Sequence, residues 1–401
     1  MVLGALAATG PLSIDMYVPG FPAMGATLDA SDSAVQLTMS TFLAGLVIGQ
    51  LVIGPISDSI GRRRLLIGGV IGFGIFSLLC ALAPNVQVLI AARFLQGAAG
   101  AAGPVLARAV LTDRFTGTDL PRYFAVLAQA VSVAPIAAPV LGGAVLSVAS
   151  WRMIFVVLSV IGLVLLILVL RKVPESLPVE RRRPGGLRIT LLSMGSLVRS
   201  RVFVGYQLTL GFCGAALFIY ASGSSFVFEG LLGLSPTIYS LIFAANAVGM
   251  LVAGLVFGRL SARWHLNTLL TLGVGVAAMG SVLQVVLVIT LGETIAGTWV
   301  SLFLVVVGAA LVVPSTMSIG QAIARDAAGA GSACLGAAQF LLGGAISPIV
   351  GLLGEGSSLP MALIMLLVMV CSVCSLLVLA RPWEGHGEPA DGNPPSPAAS
   401  A

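Results

Sequence analysis

Runs of about twenty apolar residues, repeated along the chain and parted by short polar stretches, constrain this sequence more than any other feature. A hydrocarbon core about 30 Å thick is crossed by about twenty helical residues at 1.5 Å each. Charge is correspondingly scarce. Only 9% of the 401 residues are charged and 58% are hydrophobic, giving a mean hydropathy of +1.08. A soluble domain carries about 25% charged residues, because charges keep its surface wet. These values exclude a soluble enzyme and a disordered or fibrous chain. A transmembrane barrel would alternate apolar and polar residues in segments of about ten. The class is therefore an all-α polytopic membrane protein.

Twelve spans are expected, at 2–25, 35–57, 63–83, 86–111, 121–147, 151–171, 202–226, 236–259, 266–290, 297–319, 329–353 and 359–380. The longest polar connection contains Arg181, Arg182, Arg183, Pro184, Gly185 and Gly186. It divides the chain into an N-terminal six-helix half (1–171), a cytoplasmic linker (172–200), a C-terminal six-helix half (201–381) and a tail (382–401). The tail is rich in Pro, Gly, Ser and Ala and reads as disordered. The halves echo each other at a spacing of about 200: Gly54–Asp58 with Arg63 is answered by Gly254–Gly258 with Arg263, and Gly142-Gly143 by Gly343-Gly344. Two related halves around a central substrate site are a common transporter build.

Loop charge sets the orientation. Connections after even-numbered spans hold Arg62, Arg63, Arg64, Arg114, Arg122, the Arg171–Arg201 cluster, Arg259, Arg263, Arg325 and Arg381. Connections after odd-numbered spans hold Arg152 beside Asp29, Asp32, Glu229, Glu293 and Glu355. The positive-inside rule then puts both termini and the linker in the cytoplasm of a multi-pass inner-membrane protein. It also accounts for the basic pI of about 9.2 without nucleic-acid binding. Cys80, Cys213, Cys334, Cys371 and Cys374 lie in apolar segments with no metal-ligand spacing and read as packing residues. His265 and His386 have no catalytic constellation around them, so no enzyme is expected, and no cofactor. The first apolar run has no basic n-region, which argues against a cleaved signal peptide.

An ionised side chain near the bilayer centre costs at least about 2.5–3.5 kcal/mol, so each needs a reason. Asp15 lies mid-way along the first span; Arg93 and Arg108 lie on the fourth, about 22 Å apart along the axis. Asp15 reads either as a protonatable carrier or as a buried acid bonded to Arg93 or Tyr17. Arg93 cannot lose its proton. It either tunes an acid or holds an anionic substrate group, or else is a structural bridge. Arg108 reads as snorkelling or pairing with Asp113. Glu229 and Glu293 read as solvated acids at outer span ends. Tyr17, Gln129, Phe218, Asn246 and Gln339 are the cavity candidates, suiting a large, mainly apolar pocket. Gly97, Gly100 and Gly103 at i, i+3, i+6 make a flat strip on the fourth span, with a kink expected at Pro104. Pro135 and Pro139, with Gly142 and Gly143, mark the fifth span as a bend or hinge.

These residues resemble the major facilitator superfamily, and more narrowly the drug:proton antiporters of the bicyclomycin and chloramphenicol resistance (Bcr/CflA) branch. Gly54-Pro-Ile-Ser-Asp58-Ser-Ile-Gly61-Arg62-Arg63-Arg64 is similar to the superfamily signature between helices 2 and 3. Ile90-Ala-Ala-Arg93-Phe-Leu-Gln96-Gly97 is similar to its helix 4 signature, and Ala138-Pro139-Val-Leu-Gly142-Gly143 approximates the exporter motif of helix 5. Ser13-Ile-Asp15-Met-Tyr17-Val-Pro19, Arg108-Ala109 with Asp113, Trp151-Arg152 and the Gly329–Pro348 stretch look like the branch. The resemblance implies two pseudo-symmetric six-helix halves and export of small drug-like molecules by alternating access, driven by the proton motive force. A monomer is expected; a symporter or exporter of an endogenous metabolite is the alternative. It further implies that Asp58 latches the cytoplasmic side through contacts with a neighbouring helix end, supported by Arg62 and Arg63. Arg93 would sit on the proton and substrate path, facing Asp15. Three positions depart from the pattern: Ser59 replaces the usual Arg, and Ala134 and Ala138 stand where many exporters have Gly.

Overall fold

The computed structural model describes residues 2–114, 119–178, 182, 194–261, 263–324, 328–353 and 357–388, and every regular element among them is helical. Ten helices are long and apolar enough to cross a membrane. The other two of the twelve expected spans are the first, which is broken into pieces, and the fifth, in which only Val133–Leu146 registers as an apolar helix. Contacts divide the chain into two compact units. One comprises Met1–Ile189 with Gly233–Ala244, and the other Thr190–Leu232 with Ala245–Ala401.

In the first unit the first span is α1 (Val2–Ala7), α2 (Thr9–Asp15), a 3₁₀ turn (Val18–Gly20) and α3 (Phe21–Leu28). The breaks follow from proline. A proline ring clashes with the carbonyl four residues before it and offers that carbonyl no N–H. Pro11 and Pro19 strike the carbonyls of Ala7 and Asp15, which are the residues at which α1 and α2 end. Then come α4 (Asp32–Ile60), α5 (Arg62–Ala81), α6 (Val86–Gly100), α7 (Ala102–Arg114), α8 (Asp119–Leu146) and α9 (Arg152–Lys172). The α6/α7 interruption at Ala101 answers the kink expected from Pro104, whose missing N–H leaves the carbonyl of Gly100 unclaimed. By contrast α8 runs unbroken through Pro135 and Pro139. Side-chain oxygens cap the entries: Ser31 accepts from the N–H of Ala34 and Asn85 from that of Val88.

The second unit holds α10 (Arg201–Ser225), a π-helical turn (Phe226–Leu231), the part of α11 (Pro236–Leu260) from Ala245 onward, α12 (Leu266–Leu291), α13 (Ile295–Ile323), α14 (Ala328–Leu352) and α15 (Leu359–Cys374) with a π-helical end (Ser375–Ala380); the start of α11 clusters with the first unit. Beyond it, 382–388 is not free, although the sequence placed it in a disordered tail. The Glu388 carboxylate accepts from the backbone N–H of Asn267 at 2.8 Å and from its Nδ2 at 3.0 Å, and lies 2.7 Å from His265 Nδ1. Open N–H groups at the start of α12 attract a carboxylate, which is the reason this piece of the tail docks. Residues 389–401 lie outside the described residues.

Exposed Val160, Leu163, Val164 and Ile167 recur on one face of α9, the lipid-facing stripe of a membrane helix. Contacts between helices rest on small residues. The glycines of the fourth span do not form one strip for one partner: a Cβ on Gly97 would strike the carbonyl of Phe42, one on Gly100 would touch the Phe73 ring, and one on Gly103 would strike the carbonyl of Leu6. Three residues per step is 300°, so the row turns around the helix and meets α4, α5 and α1 in succession. On α8, Gly142 presses on the backbone carbonyl of Met16, and Gly143 on the side chain of Ser240, which clusters with this unit. Gly54 has only ordinary contact, with Val105 at 3.9 Å. Overpacking costs about 1–3 kcal/mol. Gly142→Val is therefore expected to lower the thermal unfolding midpoint in detergent, measured by size-exclusion recovery after heating, while Gly54→Ala leaves it unchanged. Equal behaviour of the two variants would contradict the close approach at Met16.

Candidate functional site

Arg93 has no exposed surface. Its Nη1 donates to Gln96 Oε1 at 2.6 Å and its Nη2 to the carbonyl of Ser13 at 3.0 Å. Gln96 is held in turn by donating to Ser77 Oγ at 2.7 Å. The guanidinium carbon lies 4.1 Å from the ring centroid of Tyr17 and 4.2 Å from that of Phe42, with Phe155 at 5.6 Å. All three lie within about 6 Å, and the two nearer faces supply the most negative potential without a formal anion. Tyr17 itself is buried, its hydroxyl 3.3 Å from Thr38 Oγ1. It is a wall of the Arg93 cage and not the cavity residue expected from the sequence.

Asp15 is the last residue of α2, at the proline break, two positions beyond the Ser13 carbonyl that Arg93 grips. Its side chain is partly exposed and makes no hydrogen bond or ion pair among the described residues. The expected pairing of Asp15 with Arg93 or Tyr17 is thus absent, because Arg93 holds the backbone of the segment and leaves the acid free. Met16, the next residue, carries the carbonyl packed against Gly142 of α8. One short stretch therefore joins the acid, the buried cation and the glycine of the fifth span.

A second constellation joins the Arg-rich loop to its surroundings. Gly61 takes a φ of +103°, which favours glycine, and its position leaves room for Glu175 Oε2, which would come within 2.6 Å of a Cβ there. Asp58 pairs with Arg62 at 2.5 Å, and Arg62 Nε with Asp113 Oδ2 at 3.1 Å. The backbone N–H groups of Arg62 and Arg63 donate to Glu175 at 2.9 and 3.2 Å, and Arg63 Nε donates to the Val173 carbonyl at 2.9 Å. Among the described residues the Asp58 side chain is tied to Arg62, so an ion pair stands where a contact with a helix end was expected. Asp113 is the partner of Arg62 and not of Arg108. Glu175 escaped the sequence reading, because a helix-capping carboxylate more than a hundred residues away carries no local signature.

The remaining candidates scatter. Asn246 is fully buried and used at both ends: Nδ2 donates to the Tyr220 hydroxyl at 3.0 Å and Oδ1 accepts from Trp299 Nε1 at 2.8 Å. It is a structural junction. Phe218 is buried, packs on Phe340 with centroids 5.9 Å apart, and is pressed by Gly343. Gln339 is half-buried against Gly214. The side chain of Gln129 lies outside the described residues. Glu293 accepts from the N–H of Ser358 at 2.6 Å, and Glu229 Oε1 is buried without a partner among the described residues, so neither is a merely solvated acid.

Burial alone would push the Glu175 carboxyl up, but the N–H groups of Leu177, Arg62, Arg63 and Ser176 outweigh it and hold the pKa below the usual glutamate value. A depressed pKa gives stability that is present above the unfolded value, about 4.3, and is lost as pH falls through the folded one. Glu175→Gln is expected to lower the unfolding midpoint at pH 7, with the gap to the native chain closing below about pH 4. A gap independent of pH would contradict this capping role.

Residues 3–348 match the Major Facilitator Superfamily model. The chain is 40% identical over 387 residues to YdgK, an uncharacterised MFS-type transporter of Bacillus subtilis (strain 168), covering 96% of each chain. It is 29% identical to a bicyclomycin resistance protein homolog of Haemophilus influenzae, over 94% of this chain and 95% of that one. It is also 31% identical to multidrug resistance protein D of Escherichia coli (strain K12), over 61% of each. Among solved structures, a POT family transporter in complex with 5-aminolevulinic acid has the same fold, with a TM-score of 0.75 at 14% identity over 95% and 96% of the two chains. The chain belongs to the Major Facilitator Superfamily of membrane transporters, in its Bcr/CflA branch.

Proposed function

We propose that this transporter exports small drug-like molecules across the inner membrane by alternating access, and that protons entering through Asp15 drive it. Relatives named for bicyclomycin, chloramphenicol and multidrug resistance support the substrate class. The observation that carries the coupling is the placement of Asp15: an acid without a partner among the described residues, at the end of a helix piece whose backbone Arg93 holds. A carboxyl outside any ion pair can be neutral or charged according to its surroundings, since desolvation favours the neutral form and water or a nearby cation the charged one. A rearrangement of the break between Asp15 and Val18 changes those surroundings. Arg93 is a positioning residue in this scheme. It fixes the Ser13 end of the segment. The Met16–Gly142 contact transmits the change to α8. The Asp58–Arg62–Asp113 cluster stabilises one arrangement of the loop between α4 and α5, with Gly61 and Arg63 anchoring it to Glu175.

In everted vesicles holding an acid-inside gradient, chloramphenicol is expected to discharge the gradient through the native chain. Asp15→Asn abolishes the discharge while the protein remains in the membrane. Arg93→Lys keeps the charge but loses the forked grip and slows the exchange about tenfold or more. Full activity in Asp15→Asn would overturn the assignment of the carrier.

A further inference from the structure

Arg108 is the intramembrane cation that the scheme above leaves unused. It lies on α7, six residues before Arg114 and so about 9 Å inside the helix end. Leu106, Ala107, Val110 and Leu111 bury one side of α7, whereas Arg108 and Thr112, one turn apart, are exposed on another. The side chain is accessible, and since a bare guanidinium turned to lipid is poorly tolerated, an accessible Arg108 calls for a polar partner.

The Arg108 guanidinium makes no hydrogen bond or ion pair among the described residues; its backbone carbonyl accepts from Thr112 Oγ1 at 3.4 Å. Asp113, the acid nearest in sequence, is occupied by Arg62 Nε at 3.1 Å and Ser176 Oγ at 2.9 Å. Asp58 is held by Arg62, and Glu175 by backbone N–H groups. Arg93 cannot serve an incoming anion, because Gln96, the Ser13 carbonyl and two aromatic faces already enclose it. Of these two arginines only Arg108 has its planar fork of donors open, and a carboxylate is the group that matches such a fork with two parallel hydrogen bonds. We propose that Arg108 binds the carboxylate of amphipathic substrates and selects for acids over their neutral analogues. The inference rests on the export reading for its physiological meaning, but its binding step is independent of protons.

The test uses the purified full chain in neutral detergent, with Thr112→Cys placing a thiol one turn from Arg108. The chain without that substitution gives the blank for native cysteines. An anionic methanethiosulfonate is expected to react about threefold more slowly when Arg108→Gln is added, the effect of one charge about 6 Å away in water. Nalidixate protects the thiol at about tenfold lower concentration than its ethyl ester, as befits a charge-assisted hydrogen bond. Arg108→Lys keeps part of this preference, since the charge stays and the fork is lost, and Arg108→Gln removes it. An unreactive thiol, equal protection by acid and ester, or protection by phosphatidylglycerol but not nalidixate would each overturn the proposal. Protection by nalidixate in a chain that fails to exchange chloramphenicol for protons would leave this site standing and remove the export reading instead.

Discussion

A guanidinium with no exposed surface must find everything water would have given it inside the protein. Arg93 meets most of that need with one carbonyl, one amide and two close aromatic faces, while its Nε is buried without a hydrogen-bond partner among the described residues. No carboxylate among the described residues completes the set. The arrangement commits three spans to one point, because Ser13 and Tyr17 of the first and Phe42 of the second have to meet Arg93 and Gln96 of the fourth. A lysine could not replace it: a single ammonium cannot reach the carbonyl and the amide in one plane while lying on both rings. Breaking such a cage leaves a buried charge uncompensated, which typically costs about 3–5 kcal/mol.

The consequences run outward from that point. Because the cage takes its acceptor from the backbone of α2, it holds the helix piece and leaves the acid at its end unoccupied. Because Pro19 denies the Asp15 carbonyl its normal partner, the chain turns there and brings Met16 against Gly142. The acid, the cation and the fifth span thus become one mechanical unit without any ion pair between them. At the other end of the same unit the rule reverses. Near water, Arg62 pairs directly with Asp58 and Asp113 while Glu175 takes backbone N–H groups, since charges there are cheap to place and useful for fixing a loop.

Much of this was legible in the sequence for physical reasons. Apolar run length reports membrane crossing directly, and the prolines at 11, 19 and 104 mark the carbonyls at which helices stop. Asp15 and Arg93 announced themselves because a charge in an apolar run is expensive. What stayed hidden depends on directions in space. The i, i+3, i+6 glycines looked like one strip, but the helical rotation turns them toward three neighbours. Tyr17 and Asn246 looked like pocket residues, although their polar ends are consumed by Thr38, Tyr220 and Trp299. Asp113 looked like the partner of Arg108 because they are close in sequence, yet five residues along a helix is 500°, and Asp113 faces Arg62. Glu388 was assigned to a tail on composition alone, and one carboxylate at a helix start was enough to dock it.

In the proposed cycle the protonation of Asp15 and the occupancy of the transporter are linked. Proton release on substrate binding measures that link without a membrane, a gradient or a transport cycle. In weakly buffered detergent solution containing a pH-indicating dye, saturating chloramphenicol is expected to release protons from the native chain and none from Asp15→Asn. The release should fade as the starting pH is raised and Asp15 is already ionised. Equal release from both proteins, or binding with no release at any pH, would contradict the account.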